Sequence, residues 1–163
     1  AVNGVERAAC LIPATPSRLI PWATLGVTKL DGWNKVIRYS VTPAFANSAT
    51  PFRLSTVATK TVQTRNATGA LVLLANQVPA LVFSHGRRSW GTTDGGAAIP
   101  NESIGSTNLD EIANNIATVN FIQRTFSEGT GAAFGGEYDD MLAWLSPNIL
   151  FSRMVQAGMS PAP

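Results

Sequence analysis

Apolar and polar positions alternate over residues 36–42, with Ile37, Tyr39 and Val41 on one side and Val36, Arg38 and Ser40 on the other. A period of two belongs to an extended strand, whose successive side chains point to opposite faces. Asp31-Gly32 supplies the turn before it. Residues 51–57 and 60–65 read as two further strands, polar at alternate positions. Ala58-Thr59 reads as their two-residue connection, without the usual Gly or Asn. The most apolar segments, 70–75 and 78–84, flank Asn76-Gln77 and read as central strands, the first with a short buried helix as its alternative. Residues 118–124 alternate again.

Near the C-terminus the period changes. Tyr138, Met141, Leu142 and Leu145 recur at helical spacing, and Glu137, Asp139 and Asp140 sit where a helix dipole favours negative charge. Ser146-Pro147 then opens a second helix as N-cap and first helical residue. Leu150, Phe151, Met154 and Val155 form its apolar stripe, and Gly158 is placed to end it. Residues 1–30 hold Pro13, Pro16 and Pro21 and no sustained period. They read as a meandering loop anchored by Leu19, Ile20, Trp22 and Leu25. Residues 87–116 form a long Gly-, Thr-, Ser- and Asn-rich loop with one helical turn at 109–113, started by Asp110 and Glu111. These elements predict one α+β domain over 1–163, an antiparallel sheet covered on one side by helices, two of them short and C-terminal.

Composition changes that picture in two respects. Hydrophobic residues make up 45% of the 163, enough to close a core and to exclude a disordered chain. Charged residues are only 13%, about half the ~25% of ordinary soluble domains, so the surface is covered by uncharged polar groups. Such surfaces suit exported proteins and subunits that pack on others. The net charge of +2 demands no polyanionic partner. Cys10 stands alone, so no disulfide closes within this sequence. No apolar run approaches the ~18–20 residues that span a bilayer. The chain opens on Ala-Val-Asn-Gly without a signal segment, as expected of a processed or trimmed protein.

Candidate chemistry is sparse. His85 is the only histidine and follows Ser84, the pairing a nucleophile and its base would need. On a strand these neighbours face opposite ways, and no Gly-x-Ser-x-Gly elbow is present, so a structural histidine ending a strand is the expectation. Glu137, Asp139 and Asp140 form the densest carboxylate cluster, which their place at a helix start explains without a metal. Asp94-Gly95-Gly96 and residues 108–115 offer oxygen ligands, but not at EF-hand spacing. Arg87, Arg88 and Trp90 set two cations beside an aromatic ring, a contact set for a nucleic-acid strand or another surface ligand. No cofactor, metal site or catalytic residue is expected.

Several segments, in order along the chain, carry a family resemblance. Asp31-Gly32-Trp33-Asn34-Lys35-Val36-Ile37-Arg38-Tyr39 resembles the pseudopilin signature Asp-Pro-Trp-Gly-x-Pro-Tyr-x-Tyr, with Gly32, Asn34 and Val36 departing from it. Residues 81–86, ending in Ser84-His85-Gly86, resemble the next family element, a strand ending in Ser-x-Gly. Residues 21–26, Tyr138-Asp139-Asp140 and Trp144-Leu145-Ser146-Pro147 resemble the same branch. The chain is thereby identified as similar to the soluble head of a type IV pilin or type II secretion pseudopilin. The resemblance implies a non-enzymatic subunit, a minor pilin or pseudopilin, in a periplasmic or cell-surface filament of a Gram-negative bacterium. Its implied partners are other pilin subunits. The alternative is a filament-tip module that recognises DNA, glycan or a host surface through residues 87–116. The family's apolar N-terminal helix is not in the sequence, and it would be the only contact with the membrane. A cysteine preceding Ala1 is the implied partner of Cys10. Acidic residues that bind calcium in major pseudopilins have no clear counterpart here. The missing helix normally covers the sheet, so the head alone is expected to expose an apolar groove on the order of several hundred Å².

Overall fold

The computed structural model describes Gly4, Val5, residues 17–47 and residues 49–159; Cys10 and its expected pairing lie outside them. The fold is α+β. In chain order it runs β1 (Arg18–Leu19), α1 (Trp22–Leu25), β2 (Arg38–Val41), β3 (Lys60–Arg65), β4 (Leu71–Val78), β5 (Ala80–Ser84), α2 (Leu109–Ile116), β6 (Asn120–Ile122), β7 (Met141–Leu145) and α3 (Pro147–Gln156). These strands make two sheets rather than the single one expected: an antiparallel β1-β2-β5-β7 and a smaller β4-β3-β6, in which β3 and β6 run parallel.

Pro79 divides the two. It has no N–H for a ladder, so the extended run from Leu71 to Ser84 leaves the smaller sheet at Val78 and joins the larger at Ala80. Thr42 holds the crossing point, its N–H donating to the Pro79 carbonyl (2.7 Å) and its hydroxyl to that of Val78 (3.0 Å). The expected break at Asn76-Gln77 is instead a bulge within β4, with Gln77 at φ 50°.

Register decides what faces the core. Arg38, Phe83 and Leu142 stand side by side on one face of the larger sheet, followed by Ser40, Leu81 and Trp144. Leu81 and Phe83 meet Val62, Val78, Ala117 and Phe121 between the sheets, and Phe83 lies 5.8 Å from Phe121. The other face carries Tyr39, Ala80, Val82, Met141, Ala143 and Leu145. No helix or strand among the described residues covers Val82 or Met141, which are 39% and 52% exposed.

Three expected elements are corrected. Residues 51–57 form no strand: Pro51 offers no N–H, and a turn closes at Leu54 with the Arg53 N–H donating to the Thr56 hydroxyl (2.7 Å). Phe52 packs between Phe45 and Phe151 at 4.8 and 6.3 Å. The first C-terminal helix is also absent, because its residues form β7. Residues 141–145 are apolar at every position, which fits a strand apolar on both faces as well as a helix stripe, and the edge of β5 supplies the backbone partners that choose between them. Leu25 is 57% exposed and anchors nothing, whereas Ile20 is buried and Leu19 and Trp22 are half-buried.

The second helix forms as expected. The Ser146 hydroxyl accepts from the Ile149 N–H at 3.3 Å, and Gly158 adopts φ 74° just past the end. None of α3 is fully buried. In the long loop, α2 runs a turn beyond the predicted 109–113 and packs on β6. No helix among the described residues is long and apolar enough to cross a membrane.

Candidate functional site

The two segments that carried the resemblance meet in space. Asp31 closes its own turn, one carboxylate oxygen accepting from the Trp33 and Lys35 N–H groups at 2.9 Å each. Its other oxygen accepts from the Ser84 hydroxyl at 2.5 Å, and that hydroxyl accepts from the Gly86 N–H at 2.9 Å. Asp31 thus locks the lead-in to β2 against the end of β5.

His85 points the opposite way, into a separate network. Its Nε2 lies 2.8 Å from Arg38 Nη1 and its Nδ1 lies 3.1 Å from Asp140 Oδ1. A guanidinium only donates, so Nε2 is the acceptor and Nδ1 carries the proton toward Asp140. Arg38 also donates to Asn115 Oδ1 (2.9 Å) and the Ser17 carbonyl (3.1 Å), and burial holds its pKa below the usual value, with Asp140 opposing. His85 is 2% exposed with both nitrogens engaged, and Ser84 answers to Asp31. The structure does not bring these neighbours together as nucleophile and base.

Glu137, Asp139 and Asp140, expected at a helix start, precede a strand instead. Asp139 Oδ2 accepts from the N–H groups of Arg87 and Arg88 at 2.9 Å each, and Asp140 Oδ2 from Asn114 Nδ2 at 2.8 Å. Glu111, from the first turn of α2, accepts from the Asp139 N–H (2.8 Å) and Asn108 Nδ2 (2.7 Å). Glu111, Asp139 and Asp140 could each turn one oxygen toward a shared cation, those atoms lying within 4.8 Å of one another. Every oxygen of the three except Asp139 Oδ1 already has a protein donor, so the cluster closes on the fold itself. Lys35, 4% exposed, adds its ammonium to the carbonyls of Ser89 (2.9 Å) and Arg88 (3.2 Å). Burial lowers its pKa, while Asp139 and Asp31 pull it back up.

Burial, reinforced by the charges of Asp140 and Asp139, pushes the Glu111 carboxyl up to about 8, against its hydrogen bonds from Asn108 and the Asp139 N–H. The folded protein therefore holds this proton more tightly than the unfolded chain. The stability it contributes is complete below about pH 4.5 and is lost as the pH rises through about 8. The melting temperature is expected to fall by several degrees between about pH 5 and about pH 8.5, and Glu111→Gln to flatten most of that slope. Equal slopes in both proteins, followed by circular dichroism, would remove Glu111 as the cause.

Of the predicted contact residues, the structure keeps two together. Arg87 and Arg88 line a cleft of about 370 Å³ with Trp33, Phe126, Glu128 and Met141. Arg88 pairs with Glu128 at 3.1 Å across an exposed surface. Trp90 is not in that cleft: it is half-buried in the loop, its indole nitrogen enclosed without a hydrogen-bond partner. Asp94 is exposed and paired with Lys29, and Asn108 and Asn114 serve the buried network. Trp33, Arg124 and Phe126 went unnoticed in the sequence as cleft residues because they come from two segments some ninety positions apart, the turn before β2 and the extended stretch after β6. Trp33 alone carried a signal, as the aromatic of the Asp-x-Trp motif.

Comparison with known proteins returned no matching family model, no matching curated protein and no matching solved structure. The family resemblance rests on the sequence motifs alone.

Proposed function

We propose that this chain is the head of a type IV pilin-like subunit, a minor pilin or pseudopilin, that serves assembly rather than catalysis. One observation carries the reading: the outer face of the larger sheet. β5 and β7 are apolar at nearly every position, the pattern of strands buried on both sides. Among the described residues only one side is covered, and Val82, Met141 and Ala143 are exposed on the other. A helix of the same polypeptide, preceding Ala1, is the cover that the resemblance supplies. Its insertion would be the sole membrane contact and its packing would build a filament with other pilin subunits, in the periplasm or at the surface of a Gram-negative cell. The tight polar locks at Asp31-Ser84 and His85-Asp140 support a rigid structural head.

Shear fractions from the producing cell test this. The head is expected there as a longer chain with an apolar N-terminus. Val82→Asp is expected to remove at least nine-tenths of it from the filament fraction while the isolated head keeps its melting temperature. A native chain beginning at Ala1, or undiminished recovery of the variant in filaments, would refute the reading.

A further inference from the structure

β4 forms one edge of the smaller sheet, with no strand beside it among the described residues. Leu71, Val72, Leu73 and Leu74 follow one another along it and are 43%, 39%, 58% and 49% exposed. Consecutive strand residues point to opposite faces, so a partner lying on one face would cover only half of them. An extended strand laid along the edge meets both faces and takes up the outward backbone groups. Proteins ordinarily guard such an edge with Lys, Pro or a bulge. Here one bulge falls at Leu74, at the register shift between Val62 and Gln63, and the other at Asn76-Gln77, so that Leu71–Leu73 remain regular. No Asp, Glu, Lys or Arg occurs between Arg65 and Arg87, and Arg65 is itself paired with Asp110.

We propose that β4 is a pairing edge through which two copies of this chain join, strand against strand, antiparallel about a two-fold axis. The strand is its own complement: two uncharged copies meet without like-charge repulsion, and Leu and Val from each side fill both faces of the joint ribbon. A two-fold contact uses the same patch on both copies, so it closes at two and leaves no β4 edge free. The contact is short, so the dimer forms in the micromolar range or weaker. This inference goes beyond the filament reading and does not depend on it. A polar filament relates its subunits by rotation and rise, so a two-fold pair joins heads before assembly or on neighbouring filaments.

Sedimentation of the purified chain from about 10 μM to about 1 mM tests the pairing. A monomer–dimer equilibrium is expected, weakened at least tenfold by Leu73→Lys, with slower amide exchange in residues 71–74 as the dimer fills. Leu71→Lys serves as a second variant should the first melt early. A monomer throughout the range, a dimer indifferent to both lysines, or growth past two copies would each overturn the proposal. Loss of the dimer in Val82→Asp but not in the lysine variants would place the contact on the larger sheet and overturn it too.

Discussion

Asp110→Ala is expected to cost the head about 3–5 kcal/mol, because it leaves two guanidiniums without their shared anion. Asp110 is 1% exposed and receives Arg65 through Nη2 (2.6 Å) and Nε (2.8 Å), and Arg124 through Nε (2.6 Å). The same arginines donate to the Gly69 and Gly136 carbonyls at 2.6 Å each, so one carboxylate ties α2 to the β3–β4 hairpin and to the segment before β7. Arg124 also lies 4.5 Å over the ring of Tyr138, which is 1% exposed. Asp110→Asn keeps the shape without the charge and is expected to fall between wild type and alanine. Urea unfolding measures both, and a loss below about 1 kcal/mol for alanine would show that the arginines find other partners.

Gly86→Ala is the second large effect. Gly86 sits at φ +60°, and a Cβ there would lie 2.3 Å from the Asp139 carbonyl oxygen and 2.5 Å from its carboxyl carbon. Left-handed strain of about 1–2 kcal/mol adds to an overpacking cost of about 1–3 kcal/mol. The neighbour is backbone, tethered further by Arg87 and Arg88, so little can yield. A variant that unfolds within about 1 kcal/mol of wild type would mean that the 84–86 turn has room to shift. The glycine of the Ser-x-Gly element is thus explained by what crosses it.

Legibility followed the range of the deciding interaction. The helix α3 was readable because Ser146, Pro147 and Gly158 act within a turn of themselves. The strand β3 was readable from its own alternation, Lys60 and Val62 facing inward. β7 was not, since Met141-Leu142-Ala143-Trp144-Leu145 is apolar throughout and fits helix and strand alike, and a strand distant in sequence breaks the tie. The site shows the same division. Asp110 and Glu111 were readable as first-turn acids, yet their work lies with Arg65, Arg124 and Asp139, which no local pattern announces. That Asp31 and Ser84 belong together was equally invisible, although each marked its own motif.

The parallel seam between β3 and β6 also sets an order of events. The hairpin of β3 and β4 closes over a short turn, whereas Thr61 meets Asn120 only after 59 intervening steps along the chain. Closing the longer loop costs more entropy and comes later. Until it closes, Val62 has its hairpin neighbour Ala75 but lacks Phe121, and the core cluster lacks two of its six buried members, Ala117 and Phe121. A nascent chain of this protein therefore carries its β3–β4 hairpin without that cover while the stretch from Pro79 to Ile122 is still being made.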